Sequence, residues 1–548
     1  MLFRSVNLSH RVPLLPKSAS VFLGGLLFAA IAQASDLPTV NTPEKLGTVR
    51  FPVTCNDAAQ AHFTRAVALL HSFYWPEVEK SLTEAEKADP GCAMVHWAHA
   101  MALMGNPYAW PVTGKALRDG MAAVEKARQL NPKTEREQDY IASVEYFFKD
   151  AEKIPAQTRQ LAYELSMAKL AAKYPDDIEA KIFHALALSA NFDPNDKTYR
   201  NQLSAAQIFE GILVAKPDHP GVSHYLIHCY DSPPLAQRGL ASAYRYRDIA
   251  PSAPHALHMP SHIFTRLGMW DDSIAANTAV LKSTRDLYVR LHAWDYMGYA
   301  YLQKAQDEDA KRVLDEILAL RKVEGENFSA AYALAAIPSR IVLERQRWSE
   351  AASLKLPISE FDFGWQQFPH AEAILVYARA LGAARLGKVA AAKKDGARLA
   401  TLKIAMLEGK QFYWADQADI QIQAVNAWIA RAGGKHKEAL RLLREAADHE
   451  DGTEKSAVTP GPIIPVREQL GDMLMAMKQP RDALAEYQRA ITKEPNRFRS
   501  LYGAARAAEA VKDVGTAQKY YQQLLTSANN PQGTHAETQH AQQYLARR

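Results

Sequence analysis

Cysteine is nearly absent from this chain: three in 548 residues, at Cys55, Cys92 and Cys229. So few exclude a disulfide-built scaffold, and their spacing fits no zinc ribbon. There is no Cys-x-x-Cys-His segment, which removes covalent c-type haem. HExxH, Walker A, GxGxxG and GxSxG patterns are missing too, so the familiar hydrolase, nucleotide and dehydrogenase chemistries lose their usual support. Nor is there an excess of one charge. Lys and Arg number 65 against 60 Asp and Glu. Setting aside Arg4, Arg11 and Lys17 of the acid-free first 34 residues leaves 62 basic against 60 acidic side chains. A body so balanced has no bulk attraction for nucleic acid or an anionic membrane. Apolar residues at 48% and charged ones at 23% are ordinary for globular chains and exclude wholesale disorder.

Long apolar runs are confined to the start. Val21–Ala32, VFLGGLLFAAIA, follows a purely cationic stretch and precedes the small-x-small sequence Ala32-Gln33-Ala34. The run is too short to span a bilayer comfortably. It reads as a signal peptide over 1–34, cleaved after Ala34, with an uncleaved anchor as the alternative. The expectation is a mature chain beginning at Ser35, periplasmic or secreted, with no stable membrane anchor. Export would permit a Cys55–Cys92 disulfide. Cys229 reads as a buried thiol beside His228.

What the rest of the chain has is helical periodicity with a repeat. The tetratricopeptide repeat (TPR) is a 34-residue helix–turn–helix with small residues near positions 8 and 20, an aromatic near 24, Ala near 27 and Pro at 32. Starting at Ile464, those positions fall on Gly471, Ala483, Tyr487, Ala490 and Pro495. Further copies start at Phe498, Ala59, Pro220 and Pro254, and weaker ones fill the intervals. One such unit cannot bury its apolar face alone, so stacking supplies the core. The fold class is therefore all-α, a TPR-type solenoid of stacked antiparallel helix pairs. Its parts are a lead-in over 35–58, an irregular array over 59–450, a Pro-rich loop over 451–465, and a TPR pair with tail over 466–548. The loop, DGTEKSAVTPGPIIP, cannot continue a helix. It reads as solvated, or as a lid over the groove.

In such arrays positions 2, 5, 9, 12 and 13 of the first helix of each pair face the concave groove. In the repeat at Pro220 these include His224, His228 and Asp231; in the repeat at Pro254 they include His255, His258 and His262. His224 and His258 are 34 residues apart, as are His228 and His262. Spacing of i, i+4 puts both rings of a pair on one helix face. The register predicts convergence of His224, His228, His258 and His262, and four neutral imidazoles suit Zn²⁺ or Cu²⁺. The plainer reading is a metal-free polar groove. His292, Asp295 and Tyr299 fall at groove positions of the following repeat, and Asp231, Asp295 or Tyr299 could orient a ligand histidine. Trp97 falls in the groove near the start of the array. Ile337-Pro338-Ser339-Arg340 echoes Met259-Pro260-Ser261-His262, so each proline either starts a helix or kinks one. Arg340 is then a contact for an anionic group.

The segments LHSFYW (70–75), CAMVHWAHAMALMGNP (92–107), HYLIHCYDSP (224–233), APHALHMPSHIFTRLGMWDDSIAAN (253–277) and EDGTEKSAVTPGPIIPVREQLGDML (450–474) resemble a family of exported bacterial TPR proteins. The resemblance implies a helical-repeat fold and an exported location, and transfers no catalytic residue. Three functions remain open: a binding protein for a peptide, protein segment or small ligand in a His-rich groove; a metalloprotein or metal-dependent enzyme; and an assembly scaffold.

Overall fold

The ring of Tyr487 shows why this sequence folds as stacked hairpins. A β-carbon placed on Gly471 would sit 2.7 Å from that ring, and one on Gly503 2.4 Å from it. The aromatic of one second helix, Pro480–Lys493, thus fills the space left by glycines on two first helices, Val466–Ala476 and Phe498–Ala510. Its hydroxyl donates to Asp472 at 2.7 Å. Many of the tight turns inside and between hairpins carry a left-handed residue, among them Phe73, Gly268, Ala305, Gln346, Gly387, Lys478 and Lys512. That conformation ends one helix and reverses the chain into the next.

The structure, a computed structural model, describes residues 43–548 apart from 113, 324–327, 359–362, 529–534 and 548. The expected signal peptide, its cleavage site and Ser35 lie outside the described residues. Lys45–Arg548 is one unit, and among the described residues it contains no strand. Antiparallel helix pairs follow one another from Asp57–His71 with Trp75–Ala88 to Phe498–Ala510 with Val514–Ala528, and a last helix, Ala536–Ala546, closes the series. Cys55 and Cys92 are disulfide-bonded, tying the lead-in to the second repeat. Cys229 is buried and unbonded.

The two proline segments differ. Pro260 opens the helix Pro260–Arg266 directly after the short helix Pro254–His258. Pro338 neither starts nor ends one: it lies inside the helix Phe328–Glu344.

The stack is also not open along its inner side. Residues 453–465, between the helices His436–Gly452 and Val466–Ala476, run across it as a strap. Behind the strap the C-terminal repeats fold back onto the middle of the array. The indole of Trp270 donates to the Asn496 carbonyl at 3.0 Å, Asn496 Nδ2 to the Gly268 carbonyl at 3.1 Å, and the Phe498 amide to Gln303 at 3.0 Å. Gly268 is required there, because a side chain would strike the Pro495 carbonyl at 2.5 Å.

Candidate functional site

Six imidazoles line the inner side of three neighbouring first helices. His224 and His228 come from Pro220–Tyr230, His255, His258 and His262 from the broken helix 254–266, and His292 from Leu287–Gln303. They gather as two threes. One ring nitrogen each of His224, His228 and His255 lie within 4.8 Å of one another, and so do those of His258, His262 and His292. The expected set of four is therefore divided: His224 and His228 join His255, while His258 and His262 join His292. The cause is helix stagger. Position 2 of each helix meets position 5 of the one before, with ring centroids 5.0 Å apart for His255 and His224 and 4.3 Å for His292 and His258.

The hydrogen-bond partners fix several tautomers. Asn277 Nδ2 donates to the Ser273 carbonyl at 2.9 Å, which turns its Oδ1 to His258 Nδ1 at 2.7 Å. His258 must then carry its proton on Nδ1. His262 Nδ1 lies 2.9 Å from the Asp231 carboxylate, which only accepts, so its proton is on Nδ1 as well. Nε2 of His258 and Nε2 of His262 are 3.1 Å apart, and in the neutral rings both are lone pairs. The Tyr296 hydroxyl, 3.4 Å from His262, donates instead to the Thr459 carbonyl at 3.2 Å. In the other group His224 Nδ1 donates to the His71 carbonyl at 2.6 Å. The buried Nε2 atoms of His224, His228 and His255 have no hydrogen-bond partner.

Burial, and then the neighbouring imidazoles, hold His224, His228, His255, His258 and His292 well below the ordinary imidazole range. His262 is also lowered by burial, although Asp231 pulls it back up. All six are thus neutral at pH 7, the form that binds metal.

Asp231 follows the last turn of its helix, and its side chain is almost wholly buried. It accepts from His262, from Arg266 Nε at 3.0 Å and from Lys455 Nζ at 2.5 Å. Burial opposes its charge, but Lys455, Arg266 and His262 outweigh burial and hold its carboxyl well below the usual range. Burial draws the Lys455 ammonium down to about 8 against the pull of Asp231. Asp295 and Arg340 form a fully buried ion pair. Burial lifts the Asp295 carboxyl to about 6 despite that partner.

Arg340 also donates to Thr459 at 3.0 Å and to the Gly461 carbonyl at 2.9 Å. It is therefore committed to the strap and to Asp295 rather than to an external anion. Tyr299 is enclosed and receives Arg497 Nη1 at 2.8 Å. Trp97 is elsewhere. It packs edge-on to Phe51, Tyr140 and Phe183 as core, because the lead-in covers the inner face of its helix.

Lys455, Thr459, Asn277, Tyr296 and Tyr108, whose ring stacks on His228 at 4.0 Å, complete the site without a sequence signal strong enough to mark them. The only hint was the charged, turn-rich loop. A cavity of about 80 Å³ adjoins the strap, with Arg266, Tyr332, Tyr413, Glu450 and Lys455 in its walls.

Fold and site together define an all-α TPR-type helical-repeat protein with a buried, histidine-lined interior. Among solved structures the chain is similar to yeast Tom70, at 12% identity over 90% of each chain with TM-score 0.31. It is also similar to the TPR domain of P58(IPK), at 14% identity over 68% of this chain and 99% of that one with TM-score 0.21. A third similar structure is human IFIT1 with m7Gppp-AAAA, at 10% identity over 87% of this chain and 96% of that one with TM-score 0.34. No protein-family profile and no curated protein matches the sequence.

Proposed function

We propose that this protein is an exported metal-binding helical-repeat protein, with a zinc or copper ion held by His258, His262 and His292 behind the strap. The carrying observation is the pair of facing Nε2 atoms 3.1 Å apart. Each has its proton fixed on the far side of its ring by an acceptor. Two lone pairs so placed repel unless a cation sits between them. Imidazole nitrogens on a tetrahedral ion with bonds of ~2.0–2.1 Å lie about 3.3 Å apart, close to what is seen. Asp231 and Asn277 then serve as the outer partners that orient ligand histidines.

Untagged full-length protein should carry at least one zinc or copper ion per chain, removable by chelator. With free metal at about a hundred times Kd, re-addition should stabilise the fold by about 2.7 kcal/mol. Asp231→Asn should weaken binding about 10–100-fold, and His262→Ala should abolish it at this site. Metal-free wild-type protein whose melting temperature ignores added zinc and copper would sink the proposal.

Export is part of the reading. It is supported by the apolar run before Ala34 and by the Cys55–Cys92 bond, which persists in oxidising compartments. Peptide mapping of protein taken from its native compartment should find Ser35 at the N-terminus and the crosslink intact. Met1 on a cytoplasmic, reduced chain would refute it.

A second reading, a groove for a peptide or protein segment, is favoured by the strap itself. It is a non-helical, turn-containing stretch already seated there through Lys455 and Thr459, and a partner of that chemistry would replace it. A strap peptide covering 453–465 that fails to bind protein lacking that segment would count against this.

A further inference from the structure

The geometry points to a second ion beside the first, held by His224, His228 and His255, so that the centre is a two-metal site that takes a small anion. This rests on the metal reading above.

The second group repeats the first in register: positions 5 and 9 of one helix with position 2 of the next. The rings are clamped from outside. Tyr108 lies flat on His228 at 4.0 Å, Tyr246 stacks on His224 at 5.2 Å, and Phe73 stacks on His255 at 5.6 Å. What the clamps leave inside is three buried Nε2 atoms with no partner. A polar atom buried without a partner is destabilising, and here it happens three times in one place. The His224 nitrogen is a lone pair, since its Nδ1 proton goes to the His71 carbonyl. The three nitrogens lie within 4.8 Å of one another, a spacing that a shared ion would close.

A third cluster of similar make-up, His71, Glu179 and His219, behaves differently. Glu179 takes His71 Nε2 and His219 Nε2 at 2.9 Å each, and His71 Nδ1 meets the Tyr225 hydroxyl at 3.0 Å. Its facing atoms are already engaged, so it is a structural network.

The two open groups adjoin. His228 and His262 have ring centroids 5.9 Å apart, and His255 and His258 6.0 Å. Three protein ligands per ion leave a coordination position free on each. All six ligands are neutral, and Asp231, the carboxylate beside them, is already matched by Lys455 and Arg266. The charge of two ions therefore calls for an anion from outside the protein. Hydroxide formed from a bound water, with its proton released to solvent, meets that need.

The test is stoichiometry of zinc in untagged full-length protein, loaded and then freed of loose metal. Wild type should hold two zinc ions, His255→Gln one and His292→Gln one. One ion in wild type, lost in His292→Gln and kept in His255→Gln, overturns the second site and leaves the first standing. One ion lost in both variants also overturns it, because a single ion would then be shared. No ion in wild type overturns both readings. The wild-type count separates one ion from two even if a variant fails to fold.

Discussion

Metal-free protein moved from pH 7 to pH 5.5 should lose several kcal/mol of stability, enough to unfold it at moderate temperature. The sign follows from the histidines. Burial keeps the six site imidazoles lowered in the folded chain, while the unfolded chain titrates near 6.5. Below that pH the unfolded state binds more protons, so stability is full above about 6.5 and lost as pH falls. Each imidazole that stays neutral contributes a loss of about 1.3 kcal/mol over this interval, and the five held well below the ordinary range together about 6–7. Two carboxyls work the other way. Burial lifts Glu450 to about 7 and Asp295 to about 6, so the folded state takes up their protons first. They return roughly 2 kcal/mol on acidification. A net loss of about 5 kcal/mol is comparable with the whole stability of many domains. Denaturant midpoints at the two pH values measure it. Equal midpoints would mean that the imidazoles are charged or solvated in the folded protein.

Replacing Arg497 by Met should cost about 3–5 kcal/mol. The guanidinium is wholly buried. It donates to Glu344 at 2.6 Å, to Glu468 at 3.2 Å and to the Tyr299 hydroxyl at 2.8 Å. Removing it strands the Glu344 carboxylate without its cation, whereas Glu468 keeps Arg499 and Ser500. Glu344→Gln in the Arg497→Met background should therefore recover part of the loss, and a double-mutant cycle reads the coupling. A single-variant cost under about 1 kcal/mol would show that water reaches the site.

The repeat register was legible because it is local. Small residues at Gly471 and Ala483 and the ring of Tyr487 recur at a spacing that stacking demands, and the helix pairs follow from it. The inward histidines were legible for the same reason, since i, i+4 spacing fixes a face. Their partition was not. It depends on how far one helix slides past its neighbour, so His255 and His292 complete the groups rather than standing beside a set of four. The strap was the least legible part. Lys455 and Asp231 are separated by 224 residues, and no periodicity links a loop to a helix end at that distance. The partners of Arg340 were hidden for the same reason, as Thr459 and Gly461 lie in that loop.

Gly268 and Pro495 meet across more than two hundred residues of chain. In a linear stack each repeat leans only on its neighbours, so such arrays can fray from an end and tolerate loss of whole terminal units. Here the late repeats abut the middle ones, and the stack is joined into a circuit. Cutting the chain after the strap would take away not only its last hairpins but also the backing of Trp270, Tyr299 and Glu344, far upstream. The middle and C-terminal repeats then melt as one piece rather than unit by unit, and the last hairpins are no longer a thermodynamic end.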